Sequence, residues 1–190
     1  LFNTYKYTSS IPKYSSEPLS ELPDSALLHL SELVQIKTIS KSEDGPIDSA
    51  EFEKLKSYLE ENYPRIHRHL DRHIFNRFSY LYKWVGTNPE LSPYVFMAHS
   101  DVVPIEEGTE NNWEIAPFSG RRKSGAVWGR GTIDDKASLI GIMEAVEHLL
   151  SKNFKPKRTI YLCFGHDDSG GTVEPDLLLD GGGSRQRCNR

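Results

Sequence analysis

The sequence has no apolar run long enough to cross a membrane, few cysteines and no uninterrupted basic segment. No stretch approaches the roughly 20 apolar residues that a membrane-spanning helix needs. Two cysteines among 190 residues cannot form a disulfide framework, and Cys163, inside the apolar run TIYLCFG, is predicted to be a buried thiol. The formal net charge is -4, and the densest basic cluster, Arg65 to Arg72, is broken by apolar residues and an aspartate. Nucleic acid is therefore not expected as a partner.

The hydrophobic pattern predicts an α/β fold in which helices flank a layered, mostly parallel sheet. Helices are predicted from about residue 25 to 36, from about 47 to 61, where Pro64 ends the segment, and from 137 to 150. Strands are predicted at 65–74, where residue types alternate, and at 79–86, 94–98, 126–128 and 159–164, with 94–98 as the central strand. The order strand, helix, strand after residue 94 implies a parallel crossover.

Three histidines share one face of the alternating segment 65–74, namely His67, His69 and His73. Such a row could bind a metal, but no carboxylate or cysteine cluster accompanies it nearby. A solvated strand face is therefore the preferred interpretation.

Polar residues follow three of the predicted elements. His99 and Asp101 end one strand, Asp134 and Asp135 precede the main helix, and the segment 165–168, GHDD, ends another strand. Taken alone, the Asp134 and Asp135 pair is more typical of a helix cap. Together the three groups favour a metal site at the strand ends, where α/β sheets place their ligands. The segment GRGTIDDK lacks the pattern of a phosphate loop, and Ser100 lacks that of a nucleophile elbow.

Four motifs occur in a fixed order along the chain: MAHSDVVP from Met97, NNWEIAPFSG from Asn111, GRGTIDDK from Gly129 and FGHDD from Phe164. This set resembles the dizinc metallopeptidase family of aminoacylases and carboxypeptidases, peptidase family M20, and within it the carboxypeptidase S and fatty-acyl amino acid hydrolase branch. The resemblance runs from about residue 27 to 164. It implies a catalytic α/β domain interrupted by a smaller domain that often mediates dimerisation.

The resemblance also implies a role for individual residues. His99 matches a ligand of one zinc, Asp134 the carboxylate that bridges two zinc ions, and Asp101 the acid that orients His99. A carboxylate on the free nitrogen of a ligating imidazole fixes its tautomer and raises its basicity. The loop residues that match the family are expected to be structural: Trp113, Pro117, Phe118 and Gly120.

The chain departs from the family pattern after His166. The family has two glutamates there, a general base and then a zinc ligand, whereas this chain has Asp168 and Ser169. We expect Asp168 to take the place of the base, and one carboxylate is missing in any alignment. In the segment PDLLLDGGG, Asp180 is a candidate for a further zinc ligand, or a turn aspartate before glycines.

These observations predict a zinc-dependent amide hydrolase acting on peptides with a free C-terminus or on N-acyl amino acids. We expect residues 1–24 to be an extended arm, 25–183 a partial catalytic domain and 184–190 a disordered tail. A truncated or internally deleted member with impaired activity is expected, because the smaller domain and the last histidine ligand are missing. The alternative is a non-catalytic fragment with an incomplete metal site that binds a partner or a full-length relative. The first residue is Leu1, and the sequence alone does not predict the cellular compartment. The resemblance suggests a secretory or vacuolar lumen.

Overall fold

The computed structural model describes residues 24–41 and 48–166. Its helices and strands follow one another in this order: α1 (Asp24–Gln35), α2 (Ser49–Asn62), α3 (Pro64–His69), β1 (Asp71–Phe75), β2 (Ser79–Trp84), β3 (Tyr94–His99), β4 (Arg121–Lys123), β5 (Ala126–Trp128), α4 (Lys136–Ser151) and β6 (Ile160–Gly165). The three predicted helices correspond to α1, α2 and α4. The arm predicted for residues 1–24, apart from Asp24, and the tail predicted for 184–190 lie outside the described residues.

Four strands form the main sheet in the order β1-β2-β6-β3, and β4 and β5 form a separate two-stranded sheet. The strands β3 and β6 pair in parallel, with α4 between them in the chain, which confirms the predicted crossover and the α/β class. In the described sheet, however, β1–β2 and β2–β6 are both antiparallel. A short hairpin through Asn76 and Arg77, both with positive φ, joins β1 to β2, and a hairpin can only join antiparallel neighbours. The sheet is therefore mixed rather than mostly parallel.

The strand predicted at 65–74 is wrong for its first half. Pro64 begins α3 instead of only ending α2, since a proline at the first helical position has the required φ and no N–H to satisfy. Both oxygens of Glu147, on α4, accept hydrogen bonds from the first N–H groups of α3: Arg65 N at 3.1 Å and Ile66 N at 3.0 Å. Ile66 and Leu70, which fitted a strand face, are also four residues apart, and both are buried.

The core lies between the helices and one face of the sheet. Tyr80, Tyr82 and Trp84 on β2 share that face with Leu162 and Phe164 on β6. The helices contribute buried apolar side chains to the same cluster: Leu33, Leu55, Leu59, Ile66, Leu139, Ile140, Met143 and Val146. Cys163 is buried, as predicted. None of the helices in the described residues is long and apolar enough to cross a membrane.

The strand β3, predicted to be central, lies at the edge of the described sheet. Its apolar residues Tyr94 to Met97 are between 44% and 68% exposed. An apolar run alone does not show whether a strand has neighbours on both sides, because that depends on partners that are distant in sequence. The prediction of a central position therefore does not hold within residues 24–166.

The loop before β4 contacts the backbone of α1 at Gly120. Ser31 Oγ donates a buried hydrogen bond of 2.6 Å to the Gly120 carbonyl, and Gly120 has a φ of +59°. A Cβ atom at this position would lie 2.0 Å from the Ser31 carbonyl oxygen. A larger residue would clash with α1, so packing explains why a glycine occupies this position. This is consistent with a structural loop.

Replacing Gly120 with alanine should destabilise the protein more than the same change at Gly125. Both glycines have a left-handed φ, but nothing lies within 4 Å of a Cβ at Gly125. The conformational cost of about 1 kcal/mol is therefore common to both variants, and only Gly120→Ala adds a clash with backbone. Urea unfolding of the two variants measures the difference. Equal losses of stability would contradict the close approach to α1.

The His67 side chain should make stability depend on pH. Its Nδ1 lies 2.8 Å from the Tyr63 carbonyl oxygen, so it donates, and Nε2 accepts from the Tyr82 hydroxyl at 3.0 Å. Burial, helped by the positive charge of Arg72, lowers the pKa of His67 below its ordinary value of 6.5. The unfolded chain therefore binds more protons just below pH 6.5, and the free energy of unfolding should fall as the pH drops through that window.

Replacing His67 with glutamine should reduce the change in unfolding free energy between pH 7 and pH 5. The matched control is His69→Gln, because His69 lies on the same helix and is exposed. Urea unfolding at the two pH values gives the comparison. A pH dependence that is as large in His67→Gln as in the control would show that His67 is not its source.

Candidate metal centre

The parallel pairing of β3 with β6 brings the C-terminal ends of both strands to one edge of the sheet. His99, the last residue of β3, is in register with Gly165, the last of β6. Just beyond, Ser100 donates to the Gly165 carbonyl oxygen from its backbone N at 2.8 Å and from its Oγ at 2.9 Å. The chain that follows β3 is therefore fixed against β6.

The segment after α1 holds the loop that follows β3 from the other side. Thr38 Oγ1 donates to the Ser100 carbonyl oxygen at 2.6 Å, and the Thr38 carbonyl oxygen accepts from Val102 N at 2.8 Å. Asp101 lies between Ser100 and Val102, and its side chain is only 3% exposed. Its position is thus set by backbone on both sides.

His99 lies between two carboxylates. Its Nδ1 is 3.1 Å from Asp101 Oδ1 and 3.2 Å from the Asp101 carbonyl oxygen, and its Nε2 is 3.0 Å from Asp134 Oδ1. Both neighbours of Nδ1 are acceptors, so Nδ1 carries a proton and Nε2 is the nitrogen that faces Asp134. The structure thus brings His99, Asp101 and Asp134 together.

The turn before α4 presents Asp134. Gly131 has a φ of +84°, and a Cβ there would lie 2.4 Å from Val102 Cγ1, so the turn packs directly on the loop after β3. Asp135 is the residue before α4, and the peptide bond between Asp134 and Asp135 is cis. The Asp134 side chain is 81% exposed, and no side-chain capping bond is found at Asp135. Asp135 therefore occupies the N-cap position of α4 without a side-chain capping bond.

Lys136, which the sequence interpretation did not single out, anchors this turn. It is fully buried, and its Nζ donates to the carbonyl oxygens of Leu33 at 3.0 Å and Ile36 at 2.6 Å, at the end of α1. Burial lowers the pKa of Lys136 to about 7. A signal was present in the sequence, because Lys136 lies three, four and seven residues before Leu139, Ile140 and Met143, on the apolar face of α4.

A pocket of about 210 Å³ opens beside His99 and Asp134. The loop after β3 and the turn before α4 form its walls: Val102, Val103, Gly129, Arg130, Gly131, Thr132 and Ile133. It thus combines an imidazole, a carboxylate and a guanidinium with aliphatic side chains. These are the kinds of groups that fix and orient a small ligand.

The other predicted site residues lie beyond β6. His166 Nδ1 is 2.7 Å from Ser79 Oγ, and its ring contacts Phe52 and Phe78 edge-on. Asp168 and Asp180 lie outside the described residues. Within the residues that are described, no group of three or more histidine, cysteine or acidic side chains is arranged to bind a metal. The three histidines of the former strand prediction are separate: His67 is half-buried on α3, whereas His69 and His73 are exposed.

Comparison with known proteins gives a consistent assignment. Residues 95–187 match the sequence profile described as peptidase family M20/M25/M40. Carboxypeptidase S of Saccharomyces cerevisiae is 40% identical over 158 residues, which cover 79% of this chain and 27% of that protein. An N-fatty-acyl-amino acid synthase/hydrolase of Xenopus tropicalis is 32% identical over 176 residues, which cover 88% of this chain and 34% of that protein.

Solved structures agree on the fold. An M20 family metallo-carboxypeptidase from Sulfolobus solfataricus superposes with a TM-score of 0.61 at 22% identity, covering 82% of this chain and 34% of that one. The chain spans about a third of the length of the proteins it matches. From the family match and these relatives together, the chain belongs to peptidase family M20/M25/M40.

Proposed function

We propose that this chain is part of a zinc-dependent amide hydrolase that acts on peptides with a free C-terminus or on N-acyl amino acids. The observation that carries the proposal is the placement of His99 between buried Asp101 and exposed Asp134 at the C-terminal edge of the sheet. The relatives support the substrate class, since one is named a carboxypeptidase and another an N-fatty-acyl-amino acid hydrolase.

His99 and Asp134 have the chemistry and spacing of two zinc ligands. His99 Nε2 and Asp134 Oδ1 are 3.0 Å apart. Two ligands of one tetrahedral zinc, each at about 2.0 to 2.1 Å, are separated by about 3.3 Å. The observed distance of 3.0 Å is thus close to the separation of two atoms that bind the same zinc ion. Imidazole nitrogen and carboxylate oxygen are both common zinc ligands.

Each residue contributes a distinct property to the proposed site. Asp101 accepts the Nδ1 proton of His99, which fixes the tautomer with the lone pair on Nε2 and raises its basicity. Asp134 would hold the ion together with His99 through its exposed carboxylate. The chemistry that zinc supplies in such a site is polarisation of the scissile carbonyl and a lowered pKa of the attacking water.

We propose that Asp168 takes the proton of the attacking water and delivers it to the leaving amine. Asp180 is proposed as a further ligand. Both assignments rest on the sequence pattern. The expected weakening of zinc binding, where Ser169 replaces a glutamate of the family pattern, rests on it as well. Serine lacks the charge that a carboxylate contributes to a zinc site, so the second ion should bind weakly.

A second candidate function is a non-catalytic fragment that binds a partner or a full-length relative. The exposed β3 favours it, because an apolar edge strand offers unpaired backbone groups and apolar side chains to another chain. This candidate shares the fold with the first and differs in requiring no complete metal site.

Zinc content tests the site directly. We expect the purified chain, loaded with zinc and dialysed against a weak chelator, to retain metal that His99→Ala loses. Asp101→Asn should keep the ligand but weaken affinity about 10- to 100-fold, because His99 loses the charged acceptor that orients it. His148→Ala, which removes an exposed histidine of α4, is the control and should retain zinc as the wild type does.

The ratio of zinc to chain separates the outcomes. A ratio near two would mean that residues outside the described part, or a second subunit, complete a dizinc centre. A ratio near zero in the wild type would overturn a self-sufficient site, and equal zinc in His99→Ala would overturn the assignment of His99.

Hydrolysis of an N-acyl amino acid decides between the two candidates. Full activity of the purified chain, with no other chain present, would exclude the non-catalytic fragment. Under the proposed mechanism, His99→Ala and Asp134→Ala should each abolish turnover, measured as release of the free amine. Turnover that persists in either variant would show that another site is responsible.

A further inference from the structure

The chain at the end of α1 contacts both parts of the candidate metal centre. We refer to residues 33–38 as the α1 support. Its Thr38 side chain holds the loop that carries Asp101. Two of its carbonyl oxygens hold Lys136, the first residue of α4, directly after the turn that presents Asp134. The two carboxylates that contact the imidazole of the site therefore have one support in common.

The hydroxyl of Thr38 adds a contact that the backbone alone does not provide. Thr38 is fully buried, and its Oγ1 donates to the Ser100 carbonyl oxygen at 2.6 Å. Two backbone hydrogen bonds already join the segments: Val102 N donates to the Thr38 carbonyl oxygen at 2.8 Å, and Ser40 N donates to the Val102 carbonyl oxygen at 3.0 Å. The Ser100 carbonyl, however, belongs to the planar peptide group that leads into Asp101. The hydroxyl therefore restricts the rotation of that group and, with it, the direction of the Asp101 side chain.

Lys136 links the same support to the turn before α4. Its backbone N donates to the Gly131 carbonyl oxygen at 3.0 Å, which closes the turn that contains Asp134. Its side chain is fully buried, and Nζ donates to the carbonyl oxygens of Leu33 at 3.0 Å and Ile36 at 2.6 Å. Carbonyl oxygens at the C-terminal end of a helix carry partial negative charge and are short of intrahelical donors, so a cation is favourable there. The position of the turn is therefore set by α1.

Stability alone is a poor explanation for these two buried polar side chains. Removing a hydroxyl or an ammonium group from water costs free energy, and an apolar side chain of similar shape fills the same space without that cost. What the polar groups do provide is direction, because one contacts the peptide group before Asp101 and the other belongs to the residue two positions after Asp134. Direction matters at a metal centre, where groups must be held within about 0.5 Å of their working positions.

We propose that Thr38 and Lys136 are positioning residues for the metal centre. Acting through the α1 support, they set the directions of the two carboxylates that contact His99. Those contacts measure 3.1 Å from His99 Nδ1 to Asp101 Oδ1 and 3.0 Å from Nε2 to Asp134 Oδ1. Both positioning side chains are fully buried, so they act through the chain and without touching the substrate. The inference rests on the proposed function in one respect, since the ion that these contacts serve is taken to be zinc.

Zinc affinity is the first readout, with variants of Thr38 that separate alignment from stability. Thr38→Val keeps the shape but loses the hydroxyl, and it should weaken zinc binding about tenfold, as removal of a group that orients a ligand does. Thr38→Ser keeps the hydroxyl but loses a buried methyl group, so it should be less stable than the wild type and yet retain its zinc affinity within about twofold. Competition with a chromophoric chelator gives the affinity, and urea unfolding gives the stability.

The corresponding variant on the other side is Lys136→Met. It should also weaken zinc binding about tenfold, because the turn loses its anchor on α1. The control is Leu139→Ala, which removes a fully buried side chain of α4 and should lower stability without changing zinc affinity. A role in stability alone would make zinc affinity follow stability across all of these variants.

NMR of the His99 ring in metal-free protein gives a second readout that needs no zinc. Asp101→Asn should shift the ¹⁵N resonance of Nδ1, and Asp134→Asn that of Nε2, because each carboxylate lies within 3.1 Å of its nitrogen. Thr38→Val should reduce the response to Asp101→Asn by about half, and Lys136→Met the response to Asp134→Asn, since groups that act together are not additive.

The two readouts separate failure of the positioning role from failure of the metal site. An unchanged ring response in Thr38→Val would overturn the proposal, and this variant decides the question even if Lys136→Met fails to fold. Zinc affinity that falls equally in Thr38→Ser and Leu139→Ala would also overturn it. A wild type that binds no zinc but shows the expected ring responses would overturn the metal site and leave the positioning role standing. A wild type whose zinc affinity is unaffected by Thr38→Val and Lys136→Met would do the reverse.

Discussion

The parallel pairing of β3 with β6 is the constraint on which the candidate site depends. Parallel neighbours need a long crossover, and here the connection passes through α4, whose first turn must return to the edge where β3 ends. That return brings Asp134 to His99 although 35 residues separate them in the chain. Because Lys136 ties the start of α4 to the end of α1, the turn is held by a third element as well. The contact between His99 and Asp134 is therefore a result of topology and anchoring.

Burial divides the surroundings of His99 into a fixed side and an open side. The Asp101 side chain is 3% exposed and that of Asp134 81% exposed. Around buried Asp101, its contact with Nδ1 is shielded from water and orients the ring. On the other side, solvent can be displaced from Asp134 without breaking packed structure. If Nε2 is to bind an exchangeable ligand, Nδ1 must be held rigidly and Nε2 must be accessible. The contacts of Thr38 with the backbone on either side of Asp101 supply the rigidity.

Sequence patterns predicted those parts of the fold that depend on local spacing. The apolar stripe of α4 is periodic over 16 residues, the apolar run of β6 is unbroken, and the motif around His99 marks the end of a strand. The pattern failed at α3, where Ile66 and Leu70 satisfy a strand and a helix equally well. What decides between them is Glu147, more than 80 residues away, whose oxygens bind the free N–H groups of the first turn. No window of local sequence contains that partner.

Local sequence also fails to show that the two cations of the GRGTIDDK motif, Arg130 and Lys136, have different partners. Lys136 could have been placed on the buried face of α4 by its spacing, yet its structural role follows only from the two carbonyl oxygens that accept from it. Arg130 has no corresponding spacing, and its unsatisfied Nε becomes visible only when every neighbour in the described structure is known. A cation whose donors are used by backbone contributes to stability, whereas the buried Nε of Arg130 has no acceptor within the described part of the chain. The set of partners, more than residue type or motif, is what distinguishes the roles of the two side chains.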